Sequence, residues 1–139
     1  MDSVRDFYRA HPIAEDRWQR TLAEAGRRIA DGEDRRFAVR EVLDELALRP
    51  DAAGRRATIE AEPPLVDPRT DALLAAVAEH TAIADDTPPP PWAVLPARFL
   101  ERMWFVSDTP GFRAIALRES PAAFRRRGVF LAASTLHRV

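Results

Sequence analysis

The sequence predicts an all-α protein, a single-domain helical bundle with a short-helix C-terminal segment. Three observations carry that prediction. Apolar residues recur at helical spacing over much of the chain, as in Leu22, Ala25 and Ile29 or Val39, Val42, Leu43 and Leu46. Helix-opening residues, as in Asp67-Pro68, stand immediately before such stretches. Of the five glycines, Gly32 and Gly128 fall where helices should stop. The 139 residues suit one domain, divided into a helical region 1–87, a proline-rich connector 88–91 and an aromatic, arginine-rich module 92–139.

Taken in order, Ser3 and Asp6 form a weak capping box for a short first helix holding Phe7 and Tyr8, broken at His11-Pro12. A second helix is expected from about Ile13 to Ala30, with Ile13, Trp18, Leu22, Ala25 and Ile29 on one face and Asp31-Gly32 at its end. Asp34 caps a third, whose stripe is Phe37, Val39, Val42, Leu43 and Leu46, and which Pro50 stops. Glu45 can pair with Arg49 across one turn. A weaker helix over Asp51 to Glu60 carries Gly54, at a cost of about 1 kcal/mol relative to Ala.

The helix that Asp67-Pro68 opens presents Leu73, Leu74, Val77, His80, Thr81 and Ala84 on adjoining turns. Asp85-Asp86 lies at the end where the helix dipole disfavours acids, so the helix should fray or stop there. Pro88 to Pro91 favour a stiff polyproline II connector, with a ligand for a proline-recognition domain as the sharper alternative. Beyond it, seven of the eleven aromatics fall in 48 residues. Pro96 opens a helix through Phe99 and Met103, Thr109-Pro110 and Ser120-Pro121 open two more, and Gly128 closes the last after Arg125, Arg126 and Arg127. Val129 to Leu131 reads as a short extended segment that needs a strand partner in this chain or another.

Composition narrows function by exclusion. The absence of cysteine removes disulfide frameworks, thiol nucleophiles, iron–sulfur clusters and cysteine zinc sites. No HExxH spacing occurs, and His11, His80 and His137 lie on three separate elements. His80 reads as a half-buried core histidine; an enzyme would have to pair it with Glu79 or Asp71. None of the glycines builds a dinucleotide or P-loop motif. We therefore expect no enzyme, no metal and no cofactor. The opening residues carry no apolar run for a signal peptide, and no stretch approaches the roughly 20 residues of a membrane span. The expected location is the cytoplasm.

All 21 basic residues are arginine, balanced by 22 acids to a net charge of −1. That balance argues against a nucleic-acid stripe. The pairs Arg27-Arg28, Arg35-Arg36 and Arg55-Arg56, with the helix pair around Asp31 to Asp34, keep a transcriptional regulator or DNA-binding module as the alternative. Adjacent Trp104 and Phe105 point to different helix faces, so one can serve the core while the other meets a partner. Trp and Arg dominate binding hot spots. Trp104, Phe105, Arg125, Arg126, Arg127 and Phe130 are accordingly the expected partner-binding residues.

The stretch PARFLERMWFVSDTPGFRAIALRESPAAFRRRGVFLAASTLHRV resembles the end of a group of uncharacterised actinobacterial antitoxin-like proteins. In that group an aromatic pair precedes a Pro-Gly turn, a short Ala/Leu helix, SPAAFRRRG, an apolar trio and a closing Leu-x-Arg-Val. REVLDELAL and DPRTDALLAAVAEH resemble it too, so the likeness covers most of the chain. The resemblance implies a protein partner, such as a nucleotidyltransferase-like toxin, inactivated by occlusion. It implies no catalytic residues. Some related chains carry a helix-turn-helix, and this one shows no separate DNA-binding domain before the shared region. A homo-oligomer is left open.

Overall fold

Four helices open on the same device, a short polar side chain accepting a backbone N–H of the first turn. Thr21 accepts from Glu24 N at 3.1 Å, Asp34 from Arg36 N at 2.7 Å, Asp51 from Gly54 N at 2.7 Å and Asp67 from Thr70 N at 2.9 Å. The helices so capped are α1 (Leu22–Ala30), α2 (Arg35–Leu48), α3 (Ala52–Ile59) and α4 (Pro68–Ala84) in a computed structural model that describes residues 20–136. The expected first helix, Ile13 and Trp18, and His11 and His137 lie outside the described residues. Thr21 is an extended cap, so the second expected helix is not continuous through Arg20: α1 starts at Leu22. Gly26 lets α1 close on the loop before α4, since a Cβ there would lie 2.8 Å from Pro63 Cβ.

The chain folds as a single-domain, mostly helical bundle with minor strand content. α4 is its axis. Its first-turn Asp67 and Pro68 behave as expected, but its surroundings do not fit a one-faced helix. Leu73, Leu74 and Val77 are buried, and so are Ala72, Ala75, Ala76, Ala78 and the charged Asp71 and Glu79. A helix enclosed on all sides needs neighbours all round. α1 and α3 supply them from the first half of the chain, and the turns, short helix and strand after Thr87 supply the rest.

α4 ends at Ala84, where the acids begin. Asp85 there is held by Arg55 of α3, with Nε–Oδ2 at 2.9 Å and Nη2–Oδ1 at 2.8 Å. The guanidinium offsets the unfavourable dipole and holds the Asp85 carboxyl below its usual range. A depressed carboxyl contributes stability above the unfolded-state value, about 3.9, that is lost as pH falls through the folded one. Asp85→Asn should therefore flatten the acid side of the stability–pH curve, read from urea midpoints between neutral pH and the acid transition. An unchanged acid slope would refute the coupling.

After Pro90 the chain makes two short 3-10 turns, Pro91–Val94 and Pro96–Arg98, rather than the α-helix expected from Pro96. β1 (Trp104–Phe105), α5 (Phe112–Glu119), α6 (Ala122–Arg125), β2 (Val129–Phe130) and a 3-10 turn at Ala133–Thr135 follow. β1 and β2 pair in parallel, Trp104 opposite Val129 and Phe105 opposite Phe130, so the strand partner lies within this chain. Parallel pairing requires a crossover, which α5 and α6 provide. Gly128 turns the chain into β2 with φ of +77°, as its position after three arginines predicts.

Two caps differ from expectation. Gly111, at φ +88°, precedes α5 in place of Thr109, whose N–H is taken by Ser107 Oγ. Ser120 leaves the helix start to tie α5 to the end of β2. Its Oγ donates to Ala116 O and accepts from Leu131 N at 2.9 Å.

Candidate binding groove

Besides Asp71 and Glu79, two arginines are buried inside the protein, and neither reaches solvent. Arg127 is fully buried. Its Nη1 donates to Glu79 Oε1 at 2.9 Å and to Ala123 O at 2.8 Å, and Nη2 to Ala93 O at 2.6 Å. The cation also lies 4.6 Å from the centre of the Phe99 ring. Burial pushes the guanidinium below its usual range while Glu79 opposes the shift. Arg98 is buried likewise, donating to Pro63 O at 2.6 Å and standing 4.9 Å from the Trp92 ring. Each arginine joins the C-terminal module to the rest of the bundle.

The six residues expected to bind a partner thus divide. Arg127 is in the core, with no exposed surface. Trp104, 7% exposed, is covered by this chain's own Arg35 and Arg69, 4.5 and 5.4 Å from its ring centre. Phe130 is buried against Phe105, their rings stacked at 5.4 Å. Phe105 is half-buried, with Arg113 over its ring at 5.1 Å. Arg125 and Arg126 are exposed, but Arg125 donates to Leu117 O at 2.7 Å, and Arg126 reaches Glu79 at 3.0 Å. Burial separates these six: Phe105, Arg125 and Arg126 present surface, whereas Trp104, Arg127 and Phe130 chiefly hold the fold.

Beside β2 the packing is incomplete. A groove of about 1010 Å³ runs between α2 and the C-terminal module. Leu73 and Val77 of α4 form its floor, Val39, Arg40 and Leu43 of α2 one wall, and Val106, Phe112, Phe130 and Leu136 much of the other. The volume stands at the upper end of the roughly 300–1,000 Å³ that small-ligand pockets occupy. Phe112 is left 40% exposed at its edge. Phe37, expected in the apolar stripe of α2, is instead 66% exposed.

The cations of this wall are unequal. Arg36 donates to the cap carboxylate of Asp34, and Arg35 is spread over Trp104 with Asp67 at 4.0 Å. Among the described residues no carboxylate lies within ion-pair distance of Arg40, and its Nη1 is covered from solvent without an acceptor. The sequence offers Asp44 one turn further as a natural partner, but Asp44 is exposed and the two do not pair. An uncompensated guanidinium beside apolar walls was thus hidden from sequence reasoning. Its only signal was the apolar run around it, Val39, Val42 and Leu43.

In the other basic pairs, three of the four arginines face carboxylates of this chain. Arg28 is held by Glu33 and by Glu41 at 2.5 Å, Arg55 by Asp85, and Arg56 by Glu60. His80 packs edge-on to Phe124, ring centres 5.7 Å apart. Among the described residues no group of three or more His, Asp or Glu is placed to hold a metal ion, and no helix is long and apolar enough to cross a membrane. No protein-family model, curated protein or solved structure matches the chain, so the groove and its chemistry are the basis for assigning a role.

Proposed function

We propose that the chain is a non-enzymatic protein-binding module of the cytoplasm, an antitoxin-like or accessory subunit that holds a segment of a partner protein in the groove between α2 and the C-terminal module. The observation that supports this is the groove itself: it is larger than most small-ligand sites, carries apolar side chains on its floor and on both walls among charged and polar ones, and includes the exposed Phe112. Occupation by a partner segment would cover that apolar surface and occlude the segment from its own targets. The resemblance of the C-terminal region to antitoxin-like chains agrees with it and suggests a nucleotidyltransferase-like toxin as the partner. DNA binding is less well supported, because most of the arginine pairs it would use are already held by this chain's own carboxylates.

The test is a tagged pull-down from the native host, followed by titration of the repurified partner against the wild-type chain and two groove variants. Phe112→Ser changes an exposed wall residue and should leave folding intact; Leu43→Asp adds a charge to the opposite wall. Both should weaken binding by roughly tenfold or more, about 1.4 kcal/mol. A partner that binds both variants with wild-type affinity does not use the groove, and the reading then fails. Failure to recover any stoichiometric partner counts against it as well.

A further inference from the structure

Resting on that reading, we propose that the groove selects an acidic segment, one that places a single Asp or Glu carboxylate on Arg40 while its apolar side chains lie on Val39, Leu43 and Leu73. The argument starts from unmet hydrogen bonding. A guanidinium has five N–H donors and no way to lose its charge. Covered donors without acceptors are costly, and native proteins rarely leave them so without reason. Arg40 is such a case, half-buried, with Nη1 covered and lacking an acceptor. It is also part of the groove wall.

The neighbouring charges favour one anion over several. Arg36 already has Asp34, and Arg35 is committed to Trp104 and the α4 cap. Asp108, on the far wall, would repel a second acid near it. Among the described cations of the groove, Arg40 alone lacks a carboxylate, and one such cation matches one carboxylate, which can accept from the guanidinium donors other than the covered Nη1. A polyphosphate or nucleic-acid backbone would call for a row of free cations. Desolvation by the apolar walls would strengthen the pair once the segment is seated. Selection would also follow from rejection: a Lys or Arg at that position would set two cations together in the groove.

The probe is a display library of random helix-length peptides, selected on the immobilised full chain and counter-selected on Leu43→Asp. Groove-dependent peptides should carry an acid at a fixed spacing from apolar residues. Arg40→Met should weaken them roughly tenfold or more, and Glu→Gln in the peptide should do the same. The two changes together should cost little more than either alone, the signature of direct pairing. Circular dichroism and melting of Arg40→Met check that the fold is kept; Arg40→Gln, polar but uncharged, is the second variant should Met disturb it. Groove-dependent peptides without an acid preference, or with unchanged affinity for both variants, would overturn the acidic selection and leave the groove reading standing. A library that yields no groove-dependent peptide would overturn both.

Discussion

Replacing Glu79 by Leu should lower the unfolding free energy by about 3–5 kcal/mol, the range found when one member of a buried ion pair is removed. For a domain whose total is about 5–15 kcal/mol, that is a large share. Glu79 Oε1 receives Arg126 Nε at 3.0 Å and Arg127 Nη1 at 2.9 Å, and the two arginines respond differently to its loss. The Arg126 side chain is 51% exposed and can turn to water. Arg127 has no exposure and cannot. Its charge stays in place with only carbonyl oxygens around it, Ala93 at 2.6 Å and Ala123 at 2.8 Å.

Glu79→Leu/Arg127→Met should recover much of the loss, because the uncompensated charge goes with the arginine. Recovery should be incomplete. The Ala93 and Ala123 carbonyls lose their donor, at about 1–3 kcal/mol for a buried group left unpaired. Denaturant titrations of the wild type, both single variants and the double variant measure the cycle. A double variant no more stable than Glu79→Leu would show that the pair is not the source of the cost. So would a single variant within about 0.5 kcal/mol of wild type, the usual size of a neutral surface change.

The sequence discloses the helices well and their surroundings poorly, for a physical reason. Caps are local chemistry: Asp34, Asp51 and Asp67 each act within three residues, and Asp34 and Asp67 cap as their positions predict. Glu45 with Arg49, at 2.9 Å, is local in the same sense. Long-range pairing is not. Nothing near Arg127 in the chain says that it, rather than Arg125 or Arg126, meets a glutamate 48 positions earlier. Three adjacent arginines looked like a surface cluster, and the turn at Gly128 carries the third inward.

The same distinction governs the groove. Val39 and Leu43 were legible as an apolar face, since helical periodicity marks them. That the face is left partly uncovered depends on where β2 and Leu136 come to rest, which no local pattern records. Phe37 shows the converse error. Its spacing placed it with the core, and its exposure puts it outside.

Trp104→Ala should cost about 3–5 kcal/mol in stability, as large-to-small changes of buried aromatics do. Trp104 is the first residue of β1, its N–H donates to Gly128 O at 2.8 Å, and its ring is 7% exposed. Arg35 and Arg69 stand over that ring, so the substitution both opens a cavity and removes two cation–π contacts. Phe130, in the paired strand, and Arg35 line the groove, so loss of the indole should loosen the groove wall as well. Stability and partner affinity are therefore expected to fall together. Trp104→Phe, which keeps a ring beneath both arginines, should lose less of each. The opposite pattern would mark Trp104 as an anchor that a partner meets directly: a Trp104→Ala chain that melts like wild type yet no longer binds. Thermal melts paired with partner titrations on the two variants decide between these, because only a residue that serves the fold moves both readouts in step.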